Sequence, residues 1–306
     1  MREELILHHY EGSPYSEKIR LLLGYKGLDW RSVGIAPMLP KPDLMTLTHG
    51  YRRAPVLQIG ADVYCDSALI GATIERLHAS PALAGGARGA SAGLLSHWVD
   101  QDLFWRAVRY VMGLRAEQIP QSMLDDRQQM HPQMRFERAT LAADLPQVAA
   151  QLRPVLALLD AALAEDDFFG GALPAPGDFG LYHPLWFLNN VGGVAALAPE
   201  AVHLRAWMAR MAAFGKGNAT PMTAAEAIDV ALRAAPAALA PHSVEAGLAP
   251  GGQVEVMPLG YPREAVRGRL VRLDENGVSV ALDSAATGLV HIHFPRLGYH
   301  VQAAAE

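Results

Sequence analysis

The sequence predicts an α/β protein of three parts: a small N-terminal α/β sandwich, an all-helical bundle, and a short antiparallel β module of barrel-like size at the end. Three observations point there. At 306 residues the chain exceeds the roughly 100–150 residues of one ordinary core. Its hydrophobic periodicity changes from mixed, to helical, to strictly alternating along the chain. Runs of small residues and proline, Ser80–Gly89 and Ala234–Pro241, punctuate those changes. The expected boundaries are 1–80, 90–235 and 243–306.

In the first part a strand (Leu5–His8) leads through Gly12-Ser13-Pro14 into a helix ending near Gly27. A strand around Trp30–Val33 follows, then a proline-rich stretch from Pro37 to Pro42. Two apolar runs, Val56–Ile59 and Val63–Cys65, flank the turn signal at Gly60-Ala61-Asp62 and read as a hairpin; Ala68–Leu77 is a closing helix. In the second part Leu94, Leu95, Trp98, Val99, Leu103, Phe104, Val108, Val111 and Met112 recur at helical spacing, as do Leu141, Leu145, Val148, Leu152, Val155, Leu156, Leu159 and Leu163. In the third, Val254–Met257, Arg269–Leu273 and Val278–Leu282 alternate apolar with polar, and Asp274-Glu275-Asn276-Gly277 is a turn between the last two.

Charge and cysteine content exclude several functions. With 26 Lys+Arg against 31 Asp+Glu the net charge is −5, and residues 236–306 carry 5 basic and 7 acidic groups, so neither the chain nor its β module has the field of a nucleic-acid or anionic-membrane binder. A single cysteine, Cys65, excludes an internal disulfide, a Cys-x-x-Cys pair and multi-cysteine zinc sites. The N-terminus has no signal-peptide core and no stretch reaches membrane-helix length, so a cytoplasmic protein is expected.

Three local patterns carry chemistry, each with a plainer structural alternative. Ser13 precedes Pro14 at a helix start, where its hydroxyl serves as an N-cap or, beside the positive end of the helix, stabilises an anion such as a thiolate. Pro55 in Ala54-Pro55-Val56-Leu57 either begins a strand or marks a cis bond that turns neighbouring backbone groups outward to pair with an extended ligand. Asp66-Ser67 opens a helix; the pair caps it, or forms a socket in which hydroxyl and backbone N–H groups receive a carboxylate while Asp66 meets an ammonium.

The ordered set Ser13-Pro14-Tyr15-Ser16-Glu17-Lys18-Ile19-Arg20, Ala54-Pro55-Val56-Leu57 with Gly60, and Asp66-Ser67-Ala68-Leu69-Ile70, followed by an all-helical segment, resembles the glutathione S-transferase family over roughly residues 4–235. The resemblance, to serine-type bacterial members, implies a thioredoxin-like N-terminal domain that binds glutathione and a helical domain that shapes a pocket for a small hydrophobic electrophile in a detoxifying dimer. It implies Ser13 as the group at the glutathione sulfur, with Ser16 as the alternative. Ala54, cis-Pro55 and Val56 would meet the cysteinyl backbone, and Asp66 and Ser67 the γ-glutamyl end. Arg52 and Arg53 have no strict counterpart; they are solvated surface arginines or, Arg53 foremost, meet the glycyl carboxylate. Tyr15, Trp105 and Tyr110 are candidate pocket residues, the last two because they lie off the main apolar stripe. One departure from the family is Ala175, three residues before Asp178, where a Ser or Thr cap is usual.

The remaining conspicuous residues read as structural. His8 and His9 point to opposite strand faces and cannot readily share a metal. His291 and His293 share one face, read as a solvated β-face; no metal is expected. By spacing Trp98, Trp105, Tyr110 and Trp207 read mainly as bundle core, the pocket being the alternative for Trp105 and Tyr110, and Cys65 reads as a buried, inert thiol. Three functions therefore compete: a glutathione transferase with Ser13 stabilising the thiolate, a glutathione-dependent reductase or lyase, and a non-catalytic binding or scaffold protein. The second lacks a cysteine at position 13 or 16 for exchange through the protein, and the appended β module of unassigned role favours the third.

Overall fold

The computed structural model describes residues 4–259 and 264–304. The chain forms two compact units, one of Met1–Ser16, Asp29–Thr73 and Asn218–Glu306, the other of Glu17–Leu28 and Ile74–Gly217.

The first unit holds the strands. In chain order they are β1 (Ile6–His9), β2 (Asp29–Gly34), β3 (Val56–Ile59), β4 (Asp62–Cys65), β5 (Asn218–Pro221), β6 (His242–Ser243), β7 (Gln253–Pro258), β8 (Val266–Leu273), β9 (Gly277–Ser284), β10 (Gly288–Pro295) and β11 (Tyr299–Ala303). Helix α1 (Pro14–Tyr25) follows β1, α2 (Pro42–Thr48) precedes β3, and α3 (Ser67–Leu77) follows β4. Beyond the helical segment, α11 (Ala224–Arg233) begins with a reciprocal cap in which Thr223 Oγ1 accepts the Glu226 N–H and the Glu226 carboxylate accepts the Thr223 N–H.

Among the described residues all strands belong to one sheet, ordered β11-β7-β8-β9-β10-β4-β3-β1-β2-β5, with β6 beside β8. The C-terminal strands are therefore not a barrel. They extend the N-terminal sheet, because β10 pairs in parallel with β4 through His291↔Asp62, Ile292↔Val63 and His293↔Tyr64. Without β10, β4 would present an edge of unpaired backbone groups. Val254, Val256, Leu270, Val280 and Ile292 share one core with Leu44, Leu47, Val56, Val63 and Cys65. Each such fully buried aliphatic side chain contributes about 1.5–3 kcal/mol, so the added strands and the N-terminal strands stabilise each other.

Residues 218–235, expected with the helical part, lie in the sheet-bearing unit. β5 pairs in parallel with β2, and Ala227 of α11 is buried with Ile6 and Val33. A four-residue strand carries too short an alternation to be distinguished from a helix-terminal loop.

The second unit contains α4 (Gly86–Trp98), α5 (Phe104–Leu114), α6 (Gln121–Met130), α7 (Arg138–Ala162), α8 (Pro176–Asn189), α9 (Gly193–Leu197) and α10 (Val202–Ala212). A π-helical turn at Val99–Leu103 joins α4 to α5. This turn corrects the expected stripe. Leu94 and Trp98, expected in the core, are 76% and 38% exposed, whereas Val99, Leu103 and Phe104 are buried. A π turn takes up extra residues and rotates the faces on its two sides relative to one another, which a constant 3.6-residue period does not anticipate. Among the described residues no helix is long and apolar enough to cross a membrane.

Candidate functional site

Three loops converge at one end of the sheet by strand register alone. β1 runs antiparallel to β3 with His8 opposite Val56, and β3 runs antiparallel to β4 with Val56 opposite Cys65. The exits of β1 and β4 therefore lie beside the entry of β3, which brings together the segments bearing Ser13, Ala54–Val56 and Asp66–Ser67.

After β1 the chain turns through Glu11-Gly12, closed by the Ser13 N–H donating to Tyr10 O at 3.1 Å. Ser13 Oγ then accepts the Ser16 N–H at 3.1 Å, three positions into α1. It is thus a true N-cap, and Pro14 follows at the first helical position, where a missing N–H costs nothing. Capping uses an acceptor lone pair of Ser13 and leaves its hydroxyl proton available for donation. Ser13 is 2% exposed and Ser16 0%, and Ser16 Oγ has no hydrogen-bond partner among the described residues. Tyr15 is half-buried.

The Ala54–Pro55 bond is cis, Pro55 immediately precedes β3, and Val56 is fully buried while Ala54 is half-buried. The two preceding arginines depart from the solvated-surface reading. Arg52 is 3% exposed with its Nε 3.9 Å from Glu264 Oε1, and its carbonyl accepts Lys41 Nζ at 3.0 Å. Arg53 is half-buried, and its charge, with those of Arg52 and Lys41, acts on Glu264. Burial raises the Glu264 pKa, and the three cations oppose that rise.

Asp66 joins β4 to α3 with φ at +78°, a left-handed conformation that a non-glycine residue adopts at a cost and that concentrates at functional sites. Its carbonyl accepts the Ile70 N–H at 2.9 Å and its Oδ1 the Ala68 N–H at 2.8 Å, so the residue caps α3. Asp66 is half-buried, and Ser67 is 5% exposed. A second donor reaches Asp66 from the far end of the chain: Tyr299 Oη donates to Oδ2 at 3.3 Å. Sequence reasoning missed Tyr299 and its neighbour Tyr51, and no local pattern marks either of them.

Cys65 is buried, and burial followed by the Asp66 charge pushes its thiol well above the ordinary range. It is held as a neutral thiol, the inert state expected of it. His8 is buried against Gln58 Oε1 at 3.0 Å, and desolvation lowers its pKa to about 4. His9 bonds Ser32 Oγ at 2.8 Å on the other face. His291 and His293 are 8% and 7% exposed, which corrects the solvated-face reading. His293 lies between Ser279 Oγ and Asp62 Oδ1, each at 2.8 Å, and Asp62 Oδ2 accepts the Ala237 N–H at 2.7 Å. The group ties the segment after α11 to the sheet. Alternation showed that the two imidazoles share a face, but not that the segment 235–241 crosses it.

Trp105 and Tyr110 belong to the helical unit. Trp105 is half-buried, stacks edge-on against His131 at 4.4 Å, and borders a cleft of about 350 Å³ with Arg106, Arg109 and Gln151. The cations there are matched by Asp102 and Asp144. Tyr110 is buried in the bundle at 8% exposure, on the core side rather than off the stripe.

With alanine at 175 no side chain accepts the Asp178 N–H, which donates instead to the Ala175 carbonyl at 3.0 Å, and the helix start is tied to its surroundings by Asp178. Its carboxylate accepts the N–H groups of Ala175 (2.8 Å), Phe169 (2.9 Å) and Gly170 (3.1 Å) and the Trp207 indole N–H (2.8 Å).

The chain is similar to known proteins of one family. Residues 7–82 match the family model of the glutathione S-transferase N-terminal domain. The crystal structure of a GST-like protein from Pseudomonas syringae is 36% identical, with a TM-score of 0.82, and the match covers 99% of this chain and 100% of that one. The chain belongs to the glutathione S-transferase family. A family member from Rhodospirillum rubrum (18% identical, TM-score 0.54) matches over 68% of this chain and 87% of its own. Rice GST1 in complex with glutathione (20% identical, TM-score 0.51) matches over 69% and 87%. These two share the fold, and about a third of this chain lies outside the match with each; the Pseudomonas protein matches over nearly the whole length. Among curated proteins, none matches.

Proposed function

We propose that this family member is a glutathione transferase that conjugates the glutathione thiolate to a small hydrophobic electrophile. The observation that carries the reading is Ser13: its Oγ is fixed by the Ser16 N–H at the start of α1 and keeps its proton for donation. A thiolate placed there receives a hydrogen bond from the hydroxyl and the positive end of the helix dipole, and both lower the thiol pKa. The thiol proton leaves to solvent, the sulfur forms a bond to the electrophilic carbon, and the leaving group departs with its electron pair. The reactive sulfur is the ligand's, since Cys65 is buried and held as a thiol.

In this reading cis-Pro55 presents the backbone of Ala54 and Val56 to the cysteinyl portion. Asp66 and Ser67 hold the γ-glutamyl end, and Arg53 meets the glycyl carboxylate. Tyr15 is proposed for the electrophile side; Trp105 is proposed as a pocket residue within the helical unit, where it borders its own cleft, and the burial of Tyr110 gives it no such support. Family membership supports a homodimer and a cytoplasmic setting as parts of the same proposal.

The test is glutathione titration of the purified protein followed by conjugation rates over pH 5.5–9. Ser13→Ala is expected to lower kcat/KM roughly 10- to 100-fold near neutrality and to move the rate profile to higher pH. Full rates at every pH would remove Ser13 from the mechanism, and absence of glutathione binding at millimolar concentration would favour the scaffold reading.

A further inference from the structure

We propose that Tyr299, supplied by the C-terminal strands, is a positioning residue of the ligand site: its phenol orients the Asp66 carboxylate toward the ammonium of the γ-glutamyl group. The inference rests on the glutathione reading above and adds a residue from the appended module to it.

The placement follows from the sheet. Because β10 runs parallel to β4, its exit lies at the same end as the exit of β4. The chain then turns through Arg296-Leu297-Gly298, with Gly298 at φ +84°, a conformation open to glycine, and Arg296 Nη1 donates to Tyr299 O at 3.0 Å. Tyr299 emerges 3.3 Å from Asp66 Oδ2. It is 3% exposed, lies 5.3 Å from the Phe294 ring between centroids, and its hydroxyl is 3.0 Å from that of Tyr51.

The direction of this hydrogen-bonded chain is determined by its end. An ionised carboxylate only accepts, so Tyr299 donates to Asp66 and Tyr51 in turn donates to Tyr299. Burial is the main reason that both phenols stay protonated, their pKa values being raised well above the ordinary tyrosine range. Asp66 thus has each oxygen fixed by one donor, Oδ1 by the Ala68 N–H and Oδ2 by Tyr299, while each oxygen keeps a further lone pair. A half-buried carboxylate with a donor on each oxygen and still able to accept is a directed receptor for an ammonium, and the preorganisation lowers the ordering cost of binding. A structural tether alone would not need a half-buried residue of positive φ as its acceptor.

Tyr299→Phe keeps the ring in the core and removes only the hydroxyl. Its Kd is measured for glutathione and for N-acetylglutathione, which has lost the ammonium. The expected result is a rise of about 5- to 20-fold in the glutathione Kd, with less than about a twofold change for the N-acetyl compound. KM for glutathione should rise likewise, with kcat at saturation unchanged. In an Asp66→Gly background the same substitution should have no further effect. An unchanged glutathione Kd, or an equal loss for both ligands, overturns the positioning role. A wild-type protein that binds neither ligand overturns the glutathione reading itself, and this inference with it.

Discussion

Asp66 and Asp178 each stand at the start of a helix, one in each compact unit, and their surroundings differ in a way that separates a ligand receptor from a structural clamp. Asp178 is fully buried and accepts four N–H groups, three from the backbone and one from Trp207. Its capacity is filled by the protein. Burial raises its pKa, and the four donors oppose the rise. Asp66 is half-buried, accepts two donors and sits in a left-handed conformation. A carboxylate with unfilled acceptor sites at a strained position has capacity for a ligand; one saturated inside a bundle has none.

The comparison is tested most severely at Asp178. Asp178→Ala leaves three backbone N–H groups and an indole N–H buried without a partner, and a loss of about 3–5 kcal/mol of stability is expected from urea unfolding. A loss below about 1 kcal/mol would show that water or a shifted loop replaces the carboxylate.

A second buried group, His8, tests whether the sheet excludes charge from its core. Its folded pKa of about 4 lies below the ordinary 6.5, so between those values the unfolded chain holds a proton that the native chain refuses. Stability contributed by neutral His8 is complete above pH 6.5 and declines as pH falls toward 4, by about 3 kcal/mol. Unfolding free energies measured at pH 6.5 and 4.5 should show the decline, and His8→Gln should flatten it. A flat wild-type profile would place a charged imidazole in the sheet.

The smallest effect on stability is expected at Asp66, where the effect on binding is large. Asp66→Gly removes an N-cap carboxylate but relieves the positive φ, and these opposing changes of about 1 kcal/mol each leave stability nearly unchanged. Glutathione affinity should fall more than about tenfold. A stability loss of several kcal/mol, with the glutathione affinity of the folded protein retained, would make Asp66 a clamp like Asp178.

How much of this was legible in the sequence depended on the range of the interaction. Ser13, Pro55 and Asp66 were legible because a cap, a strand-opening proline and a helix start are decided within a few residues, and their order along the chain identified the family. The alternation in 254–282 announced strands but not their partner, since period two specifies which residues share a face and says nothing of which edge receives them. For the same reason alternation puts His291 and His293 on one face without showing that the face is covered. Tyr51 and Tyr299 meet across 248 positions, and no local pattern encodes that contact.

The sequence by itself determined three kinds of segment, a single cysteine unsuited to redox chemistry, and the helix starts that carry the candidate site, all through short-range backbone preferences and composition. Only the tertiary structure decided that the C-terminal strands extend the N-terminal sheet rather than forming a module of their own. Backbone hydrogen bonding along the edge of β4, and burial of Ile292 and its neighbours in the same core as Val56 and Val63, are satisfied together in that one register, which also brings Tyr299 to Asp66.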